Sequence, residues 1–222
     1  MRVPFIDIRA HYQDVVPEID QVTHEVLSSG GYVLGKHNKA LEEELATLHG
    51  VKHGIAVNSG TDALRIAMDA CGIKPGDEVI TTAFTFVASV EVIVQLGAIP
   101  VFVDIEPHTF NIDPEKIREA ISSKTRAILP IHLFGQLANV NAISAIAREH
   151  GLMVIEDAAQ AVASHHNGAY AGKHGRAAGL SFYVTKNLGA AGDGGMILTD
   201  DDEVAELARS IRIHGMGRER YY

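Results

Sequence analysis

Lys186 stands in the stretch Ser181-Phe-Tyr-Val-Thr-Lys186-Asn-Leu-Gly189-Ala-Ala-Gly192-Asp-Gly194-Gly195, where a short apolar run meets a glycine-rich loop. An amine at the end of a buried strand is poorly solvated. That lowers its pKa and frees the neutral form for carbonyl chemistry such as Schiff base formation. The glycines that follow let backbone and ligand approach closely. An exposed lysine in a flexible loop would carry a similar local sequence, so the other chemistry-bearing residues decide between the two.

Three further stretches carry such residues. Gly54 to Asn58 leads into Ser59-Gly60-Thr61-Asp62, a small polar turn that opens a helix. Its free backbone N–H groups, the helix dipole and the Thr61 hydroxyl could hold a phosphate, or Ser59 or Thr61 could simply be an N-cap. No lysine follows the last glycine, which argues against a P-loop. Leu152 to Ile155 ends in Glu156-Asp157-Ala-Ala-Gln160. A carboxylate at a buried strand end needs a cation or a donor, so Asp157 either meets a protonated ring nitrogen or caps the next turn. Glu78 to Thr82 runs into Phe84 and Phe86, either of which could pack in the core or stack on a heteroaromatic ring. Ser181 adds another hydroxyl donor. A phosphate cradle, an aromatic platform, a buried aspartate and an amine are the parts needed to hold pyridoxal phosphate.

Those parts need a frame that brings strand ends together. Short β-rich runs are predicted at Gly54–Asn58, Glu78–Thr82, Pro100–Asp104, Arg126–His132, Leu152–Glu156, Leu180–Tyr183 and Gly195–Thr199. Most are continuous apolar runs, as expected of strands covered on both faces. Helices between them have core faces at Leu41, Leu45 and Leu48; at Leu64, Ala67, Met68 and Cys71; and at Ile143, Ile146 and Ala147. Gly50, Gly72 and Gly151 follow them where left-handed caps belong. The expected fold class is α/β, a mostly parallel seven-stranded sheet with helices on both faces, whose ligands bind beyond the carboxyl ends of the strands. Residues 1–35 read as an arm, a helix with Val15, Ile19, Val22 and Val26 on one face, and a loop; residues 36–222 read as the α/β domain.

Composition narrows the classes. The chain has 222 residues, 46% hydrophobic and 21% charged, which fits a globular domain. Its longest apolar stretch, Phe84 to Val103, is broken by Glu91, Gln95 and Pro100, so no membrane span is expected. No signal peptide is expected either, and a cytoplasmic location follows. The formal net charge of −9 argues against a nucleic-acid binder. Cys71 is the single cysteine, which excludes an internal disulfide, and its apolar surroundings suit a packed thiol. The adjacent His165 and His166 would diverge on a strand, and no metal site is expected.

At these residues the chain resembles the sugar aminotransferases of the DegT/DnrJ/EryC1/StrS family, a branch of the fold-type I pyridoxal phosphate enzymes. The likeness is carried by Val3-Pro-Phe-Ile-Asp-Ile-Arg9, Gly31-Tyr-Val-Leu-Gly35, Asn58 to Leu64, Pro75 to Ile80, Glu156 to Ala161 and Ser181 through Gly195. The resemblance implies that Lys186 forms the Schiff base with the cofactor, Asp157 pairs with its ring nitrogen and Phe86 stacks on the ring. It implies Gln160 near the ring hydroxyl, and Gly60, Thr61 and Ser181 on the phosphate. Family members that dehydrate sugars have histidine where Lys186 stands, so transamination is implied, from an amino acid such as glutamate to a nucleotide-linked ketosugar. A homodimer with shared active sites is implied as well. A non-catalytic binding or regulatory protein of the same fold is the other reading. Val184 stands where the family commonly has proline, and Ala163-Ser164 where it commonly has glycine-alanine. The resemblance further implies a missing C-terminal small domain. The basic residues Arg209, Arg212, His214, Arg218 and Arg220 either neutralise a sugar diphosphate or form a solvated helix face.

Overall fold

The computed structural model describes Val3 and residues 6–217. It divides into two compact units, residues 1–41 and 42–222. The first contains α1 (Ile8–Tyr12), α2 (Val16–Ser29) and the start of α3 (Lys36–His49). The Asp7 carboxylate caps α1 by accepting from the Ala10 N–H at 3.0 Å. α2 has Pro17 in its first turn and ends at Gly30 with φ 69°, a left-handed cap that glycine adopts without strain. The expected apolar stripe on α2 is there, but none of its residues is buried.

The second unit continues with β1 (His53–Val57), α4 (Gly60–Ala70), β2 (Glu78–Thr82), α5 (Ala88–Gln95), β3 (Ile99–Val103), α6 (Pro114–Ala120) and β4 (Thr125–Ile128). A 3-10 turn at Leu133–Gly135 precedes α7 (Val140–His150) and β5 (Met153–Asp157). The hairpin β6 (His165–His166) and β7 (Ala169–Tyr170), then β8 (Ala177–Ser181), β9 (Gly195–Thr199) and α8 (Asp202–Arg212) complete it. Seven strands form one sheet in the order β1-β9-β8-β5-β4-β2-β3. Only β9 runs antiparallel to its neighbours, so the other six strands end at one edge and β9 begins there. Every strand end that carries a chemical residue therefore lies on that edge.

Strand alternation sorts the core into two layers. Val79, Ala127, Leu129, Ile155, Ala177 and Ile197 face α4, α5 and α8, which contribute Ala63, Leu64, Ala67, Val92, Ile93, Val204 and Ala208. Ile80, Ile128 and Val154 point the other way, against Ile117 of α6 and Ile143, Ile146 and Ala147 of α7. Each fully buried Ile or Leu contributes about 1.5–3 kcal/mol. These layers, rather than helix propensity, hold helices as short as the seven residues of α6.

Three expectations are corrected. The strand expected at Leu180–Tyr183 lies at Ala177–Ser181. Ala177-Ala178-Gly179 has little side chain to show as a strand, but that is what admits α4, since a Cβ on Gly179 would come within 2.9 Å of the Leu64 side chain. The strand expected at Arg126–His132 ends at Ile128, just ahead of Pro130, which has no N–H for the ladder. On α3, Leu48 is exposed and His49 is fully buried. The His49 Nδ1–H donates to the Ala171 carbonyl at 2.6 Å, and its Nε2 accepts from the Ala163 N–H at 3.4 Å. Burial pushes the His49 pKa down, against the opposing pull of that carbonyl and of Glu156. Cys71 is packed among apolar side chains, and burial pushes its thiol up to about 12.

Candidate active site

A cavity of about 510 Å³ opens at the carboxyl edge of the sheet. Its lining includes Gly60, Thr61, Phe86, Asp157, Gln160, Ser181 and Lys186, the seven residues that the family resemblance implies, whereas Phe84 lies outside it. Thr85, Ser89, Tyr183 and Asp193 line it too.

The N-terminus of α4 forms one wall. Ser59 is the N-cap, its Oγ accepting from the Asp62 N–H at 3.0 Å, which leaves the Thr61 hydroxyl without a hydrogen-bond partner among the described residues. Capping thus falls to Ser59, and Thr61 lines the cavity with its hydroxyl uncommitted. Gly60 is required because a Cβ there would lie 2.6 Å from the Ser181 Cβ. Its absence brings the helix N-terminus and the end of β8 side by side. Ser181 Oγ accepts from the Tyr183 N–H at 3.3 Å and keeps its own proton to donate.

Lys186 does not sit at the end of a strand as expected, but five residues beyond β8. Its loop is laced to itself: Lys186 N–H donates to Tyr183 O at 2.7 Å, Val184 N–H to Gly192 O at 3.0 Å, and Ala190 N–H to Phe182 O at 2.7 Å. The Val184 bond is one that proline could not make. The Lys186 Nζ has no hydrogen bond or ion-pair partner among the described residues. Burial lowers its pKa below the ordinary lysine value, opposed by the negative charge of Asp157. Lys186 is therefore a half-buried, unpartnered amine facing a cavity, which is the state nucleophilic amine chemistry requires.

Asp157 and Glu156 are consecutive on β5, so they point to opposite faces of the sheet. Asp157 faces the cavity and is almost fully buried. Its Oδ2 accepts from Ser89 Oγ at 2.6 Å and its Oδ1 from the Ala159 N–H at 3.1 Å. It caps the following turn while its side chain lines the cavity. Glu156, on the other face, is fully buried. One oxygen accepts from His132 Nε2 at 2.7 Å and the Gly172 N–H at 2.9 Å, the other from the N–H groups of His174 at 2.8 Å and Gly175 at 2.6 Å. Burial alone would raise its pKa, but His132 and these backbone donors outweigh it and hold the carboxyl below its usual range. Glu156 ties β5 to the loops on either side, and the backbone bond from His132 N–H to Asp157 O at 3.0 Å carries that anchoring to the site.

Among the described residues Gln160 is oriented by one side-chain bond, from the Phe134 N–H to its Oε1 at 2.7 Å. A backbone N–H can only donate, so the acceptor is the amide oxygen and the NH2 end is left for the cavity. Phe134 holds a left-handed φ of 55°, rare for a bulky residue, and is 72% exposed.

Core packing does not account for Phe84 or Phe86. Phe84 lies against Phe110 at the surface with ring centroids 5.7 Å apart, and Phe86 is 70% exposed at the cavity. A phenylalanine so placed is available to a flat ring. Ser89 and His132 carried no sequence signal: one is a serine inside an apolar helix, the other a histidine in a loop. The basic tail is only partly placed. Arg212 donates from Nη1 to Glu42 and to the Ala56 carbonyl, so it serves the fold rather than a diphosphate. Arg218 and Arg220 lie outside the described residues.

A family model described as the DegT/DnrJ/EryC1/StrS aminotransferase family matches residues 13–222. The chain belongs to this family. A pleiotropic regulatory protein of Geobacillus stearothermophilus is 53% identical over 222 residues, which is 100% of this chain and 59% of that protein. A UDP-N-acetyl-3-dehydro-alpha-D-glucosamine 3-aminotransferase of Acidithiobacillus ferrooxidans is 45% identical over 213 residues, 96% of this chain and 58% of that protein. Among solved structures, DesV of S. venezuelae in complex with a ketimine intermediate superimposes with a TM-score of 0.95 at 42% identity, covering 100% of this chain and 59% of that one. The chain thus spans about three fifths of the length of these relatives. The fold is that of the fold-type I pyridoxal-phosphate-dependent aminotransferases.

Ala163 has a left-handed φ of 59°. That conformation costs an L-residue about 1–2 kcal/mol, part of which glycine would return as chain entropy. Ala163→Gly is expected to stabilise the protein by about 0.5–1 kcal/mol, read as a higher denaturant midpoint at unchanged slope. A lower midpoint would contradict this account of Ala163.

Proposed function

We propose that the whole protein is a pyridoxal-phosphate-dependent aminotransferase that moves an amino group from an amino acid, glutamate in the first instance, to a nucleotide-linked ketosugar. The observation that carries this reading is the unpartnered, half-buried Lys186 amine facing the same cavity as Asp157, Gln160 and the α4 N-terminus. The donor set matches the cofactor group by group. Gly60, Thr61 and Ser181 supply N–H and O–H donors for a phosphate, Asp157 an acceptor for a protonated ring nitrogen, and Gln160 an N–H for a ring oxygen. Phe86 supplies an apolar face.

When bound, pyridoxal phosphate supplies an electrophilic carbonyl and an electron-accepting ring. Lys186 contributes a nucleophile and, once free, a base that can hold and move a proton at Nζ. Asp157, buried and fixed by two donors, would present its oxygens to the ring nitrogen. Nucleotide-linked sugars as substrates are supported by the name of the Acidithiobacillus relative, and amine-transfer chemistry by the ketimine intermediate in the DesV structure. We include a homodimer and a cytoplasmic location in the reading. Exposed apolar side chains such as Phe134 and Leu188 suit a second copy. Among the described residues, no helix is long and apolar enough to cross a membrane.

The second reading, a regulatory protein of the same fold, is favoured by the name of the Geobacillus relative. An intact Lys186, Asp157 and Gln160 about one cavity weigh against it. The test is to incubate the whole protein with pyridoxal phosphate, glutamate and a panel of nucleotide-linked ketosugars. A visible cofactor band and an amino sugar detected by mass are expected. A protein that binds the cofactor but aminates none of the panel would favour the regulatory reading.

A further inference from the structure

We propose that Thr85 and Ser89 form a positioning relay that orients Asp157 toward a ring nitrogen. The inference rests on the pyridoxal phosphate reading above. Ser89 is the second residue of α5 and 1% exposed, and its hydroxyl donates to Asp157 Oδ2 at 2.6 Å. Thr85 Oγ1 lies 2.8 Å from Ser89 Oγ. A hydroxyl has one proton to give. Ser89 gives its proton to Asp157, so Thr85 is the donor of the other bond and the chain runs one way, from the cavity wall to the carboxylate.

The two carboxylate oxygens are thus held from different elements. Oδ2 is held from α5 by Ser89, and Oδ1 from the following turn by the Ala159 N–H. The carboxyl group cannot rotate without breaking one of these bonds, and each oxygen keeps a further lone-pair direction for a ligand. Core packing gives no reason for a serine here. The buried neighbours on α5 are Ala88, Val92 and Ile93, and alanine would fill the same space. What Ser89 adds is a charge-assisted hydrogen bond, the strong kind, to a buried carboxylate that lines the cavity. Thr85, itself on the wall, fixes the rotamer of Ser89 in turn.

A relay that acts through Asp157 affects only ligands with a nitrogen for Asp157 to meet. The test therefore compares the affinity of the whole protein for pyridoxal phosphate with that for an analogue whose ring nitrogen is replaced by C–H. Both are measured by spectroscopic titration in wild type, Ser89→Ala, Thr85→Val and Thr85→Ser, with folding checked by circular dichroism. Pyridoxal phosphate affinity is expected to fall about tenfold in Ser89→Ala and about threefold in Thr85→Val, with Thr85→Ser close to wild type. Affinity for the analogue is expected to stay within about twofold in all four. Equal weakening toward both compounds, or no weakening toward either, would overturn the relay. Should Ser89→Ala fail to fold, the Thr85 pair decides by the same contrast. Wild type that binds neither compound would overturn the cofactor reading itself, and the relay with it.

Discussion

Lys186→Arg is expected to lower transamination by the whole protein by on the order of 10⁴-fold or more, and to abolish the visible band of the bound cofactor. Arginine keeps a positive charge and a long stem, but its guanidinium neither forms an imine nor gives up its proton at working pH. The loss therefore isolates the chemistry of the amine from its charge. Because the Lys186 loop is held by its own backbone bonds, from Val184, Lys186 and Ala190, the substitution should leave stability nearly unchanged. Steady-state rates with glutamate and the accepted ketosugar, alongside an absorbance scan, check both halves. Rates near wild type would remove Lys186 from the reaction. A lost rate with a collapsed fold would instead make it a structural residue.

The second large effect lies on the opposite face of the same strand. Glu156→Ala should destabilise the protein by about 3–5 kcal/mol, because it strands three backbone N–H groups and the His132 ring in a fully buried space. The same carboxyl shapes the acid limb of stability. Its folded pKa is held below the unfolded value, so the stabilisation is fully present above the ordinary carboxylate range and is lost as pH falls through the folded pKa. In wild type, denaturant midpoints should decline in that acidic window; in Glu156→Ala they should begin lower and decline less. Equal midpoints for the two proteins at neutral pH would refute the role given to Glu156. Because Asp157 follows directly on β5, the variant is also expected to loosen the cavity edge.

Most of the frame could be read from the chain. The runs at Glu78–Thr82 and Gly195–Thr199 have the strand boundaries expected of them, since each carries a β-prone apolar centre between breaks in the pattern. The glycines at 50, 72 and 151 have the left-handed φ expected of helix caps, a backbone demand that only certain residues meet. Where the reading failed, packing had overridden local signal. Ala177-Ala178-Gly179 looks like a loop until α4 is laid against it. Leu48 looks like core until the helix turns His49 inward to reach the carbonyl of Ala171.

The candidate site divides along the same line. Residue types and order alone determined that this chain carries a phosphate-sized turn, an aromatic and an acid just after strands and an amine in a glycine-rich loop, because each needs a recognisable side chain at a recognisable break in the pattern. Only the tertiary structure decided that Ser59 caps while Thr61 is left open, that Gln160 turns its NH2 to the cavity, and that Asp157 is held by a serine 68 residues away. Those are matters of direction and of pairing across elements. A hydrogen bond between distant segments leaves no periodicity in either one, and it exists only once the sheet has brought their ends to one edge.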